Sequence, residues 1–324
     1  MYTGLGRQPF YCGYWVTYRC NSRCSFCNIW RNPKLQGTPD AKLEDVKRNL
    51  VDLKKMKLSI IDFIGGEPLL NPSLPEMLRY AKSLGLYTRL STNGLLYAEY
   101  AEQLLGTLAF VNFSLEATTP EDYRHIRGID GFDELLRGIQ KARDLRQRCC
   151  LICTLTNETV ENIKDIAAFC REQRIVGCVH PAFSYFGNQA MNSENLKKIT
   201  KYFWHPYLRM SLPFFDFCFK GGNDPARPNC LAGRAAIDIG PDDTLITPCF
   251  YHSNRTIPLH GRLYDIFASS EWDAIFNQVG RYEFCQHCTV DCYFGMSYWD
   301  KIRWGFTKAT IAEIKNDLEY LRPH

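Results

Sequence analysis

Residues 20–27 read CNSRCSFC, which sets Cys20, Cys24 and Cys27 at the spacing C-x3-C-x2-C, with Phe26 just before the last. Three thiolates on one short loop can hold three corners of a cubic four-iron four-sulfur cluster, because cysteine thiolate is the ligand such clusters use. The fourth iron is then left without a protein ligand, so a substrate or cofactor can bind the metal directly. Two plainer readings stand beside this one. Cysteine is common in buried cores, and a chain with 15 of them contains some close spacings by accident. A structural zinc site wants four N or S ligands, and no fourth cysteine or histidine completes the loop.

Outward from the loop, strand-like and helix-like stretches alternate. Tyr14 to Tyr18 (YWVTY) reads as a strand feeding the cysteines. Thr38-Pro39-Asp40 then opens a helix in which Leu43, Val46, Leu50, Leu53 and Met56 recur at helical spacing. Further strands are expected at Ser59 to Ile64, Leu86 to Leu90, Phe110 to Leu115, Cys149 to Leu155 and Gly177 to Phe183. Between them come helices carrying Leu74 to Ala81, Tyr97 to Leu105, a stretch opened by Gly131-Phe132-Asp133, and Val160 to Gln173. Such alternation argues for parallel strands joined by helical crossovers.

The expected fold class is therefore α/β: a partial (β/α)6 barrel of the TIM type over residues 1–190, followed by a small cysteine-rich α+β domain over 230–324. Residues 191–229 connect them, where Leu212-Pro213-Phe214-Phe215, Gly221-Gly222 and Pro225 to Pro228 break the rhythm. A hairpin is expected from Ala235 to Ile239 and Thr244 to Thr247, turning through Gly240-Pro241-Asp242-Asp243. Thr307 to Leu321 reads as a closing amphipathic helix. Barrels of this kind place chemistry at the C-terminal ends of their strands.

At 324 residues and 45% hydrophobic, the chain can build a sizeable core, which excludes disorder. A net charge of +4 suits anionic small substrates but is far from a nucleic-acid footprint. The start, MYTGLGRQPFYCGYW, has no basic segment followed by an apolar stretch and cleavage site. No apolar run approaches the roughly 18 residues that span a bilayer. An odd cysteine count with tight pairs reads as metal ligation in a reducing compartment. The expectation is a soluble cytoplasmic protein with no nucleic-acid partner and no membrane insertion.

Four pieces in order carry a resemblance. They are CNSRCSFC, Ile61 to Ile64 followed by Gly65-Gly66-Glu67-Pro68, Ser91-Thr92-Asn93-Gly94, and Phe110 to Leu115 with Ser114 near its end. Together they resemble the radical S-adenosylmethionine (SAM) enzymes, well over about residues 10–185 and more loosely over 230–292. The resemblance implies that Cys20, Cys24 and Cys27 are the catalytic ligands of a [4Fe-4S] cluster whose open iron is chelated by SAM. Gly65, Gly66 and Glu67 fit the amino end of SAM, with Glu67 shaping the loop rather than acting as an acid or base. Ser114 and Arg127 are candidates for its carboxylate and ribose, the alternative being a capping hydroxyl and a surface arginine. Asn93 has the same two readings, and Phe26 is placed at the adenine. Many relatives carry Asp after the serine strand, where this chain has Leu115-Glu116. Reductive cleavage of SAM then gives a 5′-deoxyadenosyl radical that abstracts hydrogen from an unactivated C–H bond.

Cys230, Cys249, Cys285, Cys288 and Cys292 form a second constellation. The run from Cys230 to Cys249, then GRLYDIF and CQHCTVDC, resembles the auxiliary-cluster module of the same enzymes, in its full (SPASM) or shortened (twitch) form. One auxiliary [4Fe-4S] cluster on Cys230, Cys249, Cys285 and Cys288 is favoured, with Cys292 spare or substituting. A zinc knuckle using His287 or His252 is the alternative. Cys12, Cys149, Cys150, Cys153, Cys170, Cys178 and Cys218 read as packed thiols, Cys218 the least settled. His180 is a core histidine or faces substrate, and the aromatic run Tyr293 to Trp299 packs or lines a pocket.

The function implied is a radical SAM oxidoreductase that dehydrogenates or hydroxylates a small molecule, anionic and aromatic, such as a chlorophyll-type tetrapyrrole. Reduced flavodoxin or ferredoxin would supply the electron. About 19 residues precede the first cluster, too few for a leader-peptide-binding domain. A peptide maturase forming crosslinks, with a separate recognition partner, is the second reading. A noncatalytic iron–sulfur electron carrier is the third, and an open iron counts against it.

Overall fold

The computed structural model describes residues 9–185, 189–252 and 255–294. Six parallel strands build the first half: β1 (Tyr11–Thr17), β2 (Ile60–Gly65), β3 (Tyr87–Thr92), β4 (Phe110–Ser114), β5 (Cys149–Leu155) and β6 (Gly177–Pro181). Each pairs with the next in chain order. Helical crossovers join them: α1 (Leu43–Lys55), α2 (Leu74–Ser83), α3 (Tyr97–Leu104), α4 (Pro120–Arg127), α5 (Phe132–Asp144) and α6 (Ile163–Glu172). The alternation expected of a partial barrel is therefore present.

The main core lies between strands and helices. Val46, Leu50 and Leu53 of α1 meet Cys12, Tyr14 and Val16 of β1, and Ile61 and Phe63 of β2 join them. Because strand side chains alternate in direction, the intervening residues Tyr11, Trp15 and Asp62 face the barrel interior. Cys150 and Cys153 fall on opposite faces in the same way; Cys153 belongs to the helix-side core and Cys150 to the interior.

Three local expectations need correction. The first helix starts at Leu43, not at Thr38. The Asp40 carboxylate accepts hydrogen bonds from Thr17 Oγ1 (2.6 Å) and Arg19 Nε (3.0 Å), so it is engaged by the end of β1 instead of capping. Helix α4 was not expected, although its signals are in the sequence. Thr119 accepts from Asp122 N, Pro120 occupies the first turn, and Gly128 closes the helix at φ 66°. Leu212-Pro213-Phe214-Phe215, where the strand–helix rhythm was expected to break, opens a helix, since proline in a first turn forfeits no intrahelical bond.

That segment follows α7 (Ser193–Thr200) and a seventh parallel strand, β7 (Leu208–Arg209), beside β6; the helix itself is α8 (Leu212–Phe219). The expected hairpin forms from β8 (Ala236–Ile239) and β9 (Thr244–Thr247), which are antiparallel. Strand β8 also pairs in parallel with β1, Tyr11 opposite Ala236 and Tyr14 opposite Ile239. With β10 (Arg255–Pro258) at the edge, one ten-stranded sheet runs β10-β9-β8-β1-β2-β3-β4-β5-β6-β7. Helices α9 (Leu263–Phe267), α10 (Ser270–Gln278) and α11 (Asp291–Phe294) follow. No helix among the described residues is long and apolar enough to cross a membrane. The Thr307 to Leu321 helix and residues 295–299 of the aromatic run lie outside the described residues.

Candidate functional site

The loop of Cys20, Cys24 and Cys27 follows β1 and is fastened from three sides. Its backbone donates from Arg23 N to Arg127 O and from Ser25 N to Ile126 O, both 2.8 Å, docking it on the end of α4. Asn93 Nδ2 donates to Asn21 Oδ1 (2.7 Å) and Ser22 Oγ (3.1 Å). Trp30 Nε1 reaches Cys24 O at 3.2 Å. Burial pushes the Cys20 thiol up to about 12, with Glu67, Cys24 and Cys27 adding to the rise. Cys27 is raised by burial and then by Cys24. The three thiols are thus close electrostatic neighbours.

Among the described residues, no three His, Cys, Asp or Glu side chains converge closely enough to share one metal ion. A four-iron cube bonds each thiolate to a different iron and spaces them more widely. An arginine also donates to one of these thiols, a contact that would favour its thiolate form. That donor is Arg127 Nη1, 3.3 Å from Cys24 Sγ.

Arg127 is buried, not the surface arginine of the plainer reading. It pairs with Glu116, whose role the sequence left open. Its Nε is buried and has no hydrogen-bond partner among the described residues, and neither has the nearby Tyr123 hydroxyl. Buried polar atoms are normally satisfied, so these two are open to a polar partner. Phe26 lies with its ring 5.8 Å from the guanidinium carbon. The hydroxyl of Ser114, half-buried at the end of β4, makes no hydrogen bond with a described residue.

Gly65 and Gly66 also meet a packing need inside the chain. Gly66 N donates to Thr17 O and Glu67 N to Arg19 O, so this segment lies directly on the exit of β1. A Cβ on Gly66 would overlap Arg19 O and stand 2.7 Å from Tyr18 O. The glycines admit backbone against backbone. Glu67, fully buried, accepts from Leu69 N (3.1 Å), Thr92 Oγ1 (2.8 Å) and Asn93 N (2.8 Å), binding the ends of β2 and β3 together. Burial lifts its carboxyl to about 7 against those bonds.

Cys230, Cys249, Cys285 and Cys288 form a second set. Cys230 is lifted to about 12 by burial and by Cys288 and Cys285; Cys249 is also raised, by burial and then by Cys230 and Cys288. Cys292 is not part of this group. It is solvent-exposed, and its thiol lies 3.4 Å from Tyr251 Oη. Of the histidines of the zinc alternative, His287 Nδ1 lies 3.0 Å from Gly221 O, and His252 stacks on Phe284. Cys218, half-buried, neighbours Cys288.

Sequence reasoning missed the residue that organises this set. Asn223 is buried, its Nδ2 donates to Gly280 O (2.8 Å) and Cys285 O (3.0 Å), and its Oδ1 accepts from Asn229 N (3.0 Å). Asn223→Ala should cost about 3 kcal/mol at roughly 1 kcal/mol per bond. Iron should be lost from this set while the Cys20 loop keeps its own. Iron counts and thermal melts of the variant check both.

The barrel interior carries a polar row that alternation conceals. Tyr11 Oη and Ser91 Oγ donate to Asp62 (3.3 and 3.2 Å), Asn112 Nδ2 to Ser91 Oγ (2.9 Å), and Cys150 Sγ to Asn112 Oδ1 (3.3 Å). Farther along, His180 Nδ1 pairs with Asp291. Burial alone lowers the His180 pKa, but the Asp291 carboxylate more than reverses this. His180 is 37% exposed, so it is no sealed core histidine.

Asp238 accepts from Trp15 Nε1 (3.0 Å) and from Tyr293 Oη. Burial raises its carboxyl to about 6 against both bonds. A raised acid favours the fold while protonated, so its contribution is full below its unfolded value near 4 and is lost as pH rises through about 6. Asp238→Asn should match the wild type near pH 4 and melt above it beyond pH 7. A melting difference that does not widen between those pH values would sink this account.

Residues 14–170, which hold the cysteine loop and the sites around it, match the model of the Radical SAM superfamily. That stretch of the chain is a radical SAM domain. Enzymes of this superfamily use a [4Fe-4S] cluster and SAM, and the residues here that could hold them are the three thiols, the Arg127 Nε and the Ser114 hydroxyl. A probable GTP 3′,8-cyclase of Metallosphaera sedula is 27% identical over 279 residues, 76% of this chain and 86% of that one. The Fe-coproporphyrin III synthase of Methanosarcina barkeri is 28% identical over 185 residues, 55% of this chain and 46% of the relative. The chain spans about half the length of a probable GTP 3′,8-cyclase of Methanococcus aeolicus and of the GTP 3′,8-cyclase of Peptoclostridium acidaminophilum, at 36% and 34% identity.

Among solved radical SAM structures, Streptococcus suis SuiB bound to its precursor peptide SuiA superposes with a TM-score of 0.69 at 16% identity. That match covers 86% of this chain and 68% of SuiB. Native anSMEcpe with bound AdoMet gives 0.66 at 13% identity, covering 96% and 100%. At such identity the likeness shows the fold, a parallel-stranded partial barrel.

Proposed function

We propose that this radical SAM enzyme is an oxidoreductase that removes hydrogen from a C–H bond of a small molecule, giving dehydrogenation or hydroxylation. One observation carries the reading. Cys20 follows the C-terminal end of β1, whereas Cys230 and Cys249 flank strands whose register sets them at its N-terminal end. Seven residues of strand separate the two ends by about 20 Å. Between them lies the interior with His180, Asp291 and the exposed Cys292.

In this reading Cys20, Cys24 and Cys27 hold the catalytic cluster. Ser114, Asn93 and Arg127 orient SAM, Phe26 meets its adenine, and Gly65 to Glu67 frame its amino end. When bound, the cluster and SAM supply reductive C–S cleavage and hydrogen-atom abstraction. Oxidation of a C–H bond also releases a proton. His180, with Asp291 on Nδ1, has Nε2 left to accept it. Cys230, Cys249, Cys285 and Cys288 would hold a second [4Fe-4S] cluster that takes the second electron. A reduced flavodoxin or ferredoxin is the proposed donor. The names of the relatives, GTP 3′,8-cyclase and Fe-coproporphyrin III synthase, concern anionic aromatic molecules, which supports a substrate of that class over a peptide.

The test is anaerobic. Iron and sulfide are counted in reconstituted protein, which is reduced and given SAM, and 5′-deoxyadenosine is sought. About eight irons per chain with deoxyadenosine formed is the expected result. About four irons with deoxyadenosine would keep the enzyme and remove the second cluster. No deoxyadenosine from fully loaded protein would overturn the reading in favour of an electron carrier.

A further inference from the structure

Between the segment that follows Cys27 and the β8–β9 hairpin lies a cavity of about 760 Å³. Ile246 and Phe250 supply an apolar side and pack with Trp15 and Tyr18. Arg31, Asn32 and Lys34 face them from the loop, and Thr244 adds a hydroxyl. Phe250 stacks on Trp15 with centroids 3.7 Å apart, and Trp15 holds Asp238, so the stack stands between this cavity and the interior polar groups.

The charges in the cavity are unbalanced. Its one carboxylate, Asp242, already accepts from Thr244 Oγ1 at 2.7 Å. Arg31 is fixed in place, its Nε donating to Asn28 Oδ1 and its Nη2 to Ser25 O (3.3 Å), with the guanidinium 5.4 Å from the Trp30 ring. Lys34 is anchored only through its backbone N, which donates to Asn32 Oδ1 at 3.1 Å. No described residue pairs with its ammonium. Two cations over an apolar and aromatic side, in a volume of small-molecule size, form a recognisable chemistry.

We propose that this cavity binds an amphipathic anion, with an aromatic or alicyclic body against Phe250 and Ile246 and a phosphate or carboxylate on Arg31 and Lys34. The occupant would touch Asn28, the residue after Cys27, and so would lie alongside the catalytic loop without entering the SAM site. The assignment does not rest on the proposed C–H chemistry.

Equilibrium dialysis of the reconstituted full chain against 1-naphthyl phosphate, 1-naphthoate and uncharged 1-naphthalenemethanol tests it. One anion per chain should bind about tenfold or more tighter than the alcohol, and the better anion identifies the head group. Lys34→Met and Arg31→Met should each weaken the anion about fivefold and leave the alcohol unchanged. Saturating SAM should not displace the probe. Equal binding of anion and alcohol, full anion affinity in both variants, or displacement by SAM would each overturn the proposal. Iron content and the melting curve of each variant verify that it is folded. Because dialysis reads binding alone, absence of SAM cleavage would count against the proposed function and leave this result standing.

Discussion

Alanine at Cys20, Cys24 and Cys27 together should abolish SAM cleavage and reduce iron from about eight to about four atoms per chain. The loss should stop there, because the loop is fastened by groups the substitution leaves alone. Arg23 N and Ser25 N still bond the end of α4, and Asn93 still bonds Asn21 and Ser22. The second set of cysteines lies at the other end of β1 and shares no ligand with the loop. Deoxyadenosine formation, iron and sulfide in the triple variant are the measurements. Retained cleavage would refute the assignment of the catalytic cluster, and loss of all iron would show that the two sets are not independent.

The second large effect is expected from the smallest change, Gly66→Ala. The added carbon would stand 2.6 Å from Arg19 C and 2.7 Å from Tyr18 O, both backbone atoms. It cannot be relieved by a side-chain rotation. Moving the segment away would break the Gly66 N to Thr17 O and Glu67 N to Arg19 O bonds, each 2.8 Å. Overpacking in a core costs about 1–3 kcal/mol where neighbours can yield. Here they cannot, so about 3 kcal/mol or more is expected, a fall in melting temperature on the order of 10 °C. SAM affinity should drop about tenfold or more, because Glu67 and the Asn93 turn move with the segment. Melting within about 2 °C of the wild type would show that the segment is looser than these bonds indicate.

What was legible from sequence is what local spacing encodes. The cysteine loop announces itself in eight residues, and the strands and helices of the barrel follow from periodicity. Helix α4 was legible too, from Thr119-Pro120 and Gly128, but short helices with few apolar residues give little periodic signal. Asn223 was not legible. Its partners at Gly280 and Cys285 are far along the chain, and the surrounding Gly-Gly-Asn-Asp reads as an ordinary turn. The interior row from Tyr11 through Asp62, Ser91 and Asn112 to Cys150 was equally hidden. Each strand contributes one side chain to it, and only the register of the sheet lines them up. Asp40 shows the opposite error, a good capping residue diverted by Thr17 and Arg19.

The pairing of β1 with β8 bears on how the protein is made. Strand β1 leaves the ribosome more than 200 residues ahead of β8, the neighbour in the sheet that contains Ala236. At ordinary rates of synthesis that neighbour arrives on the order of 20 seconds later. Until then the apolar strand YCGYWVT keeps an unpaired edge, the kind that recruits other chains. Cutting the chain before β8 would make that interval permanent. The finished barrel half therefore depends on β8, in the cysteine-rich part of the chain, to cover the edge of its first strand.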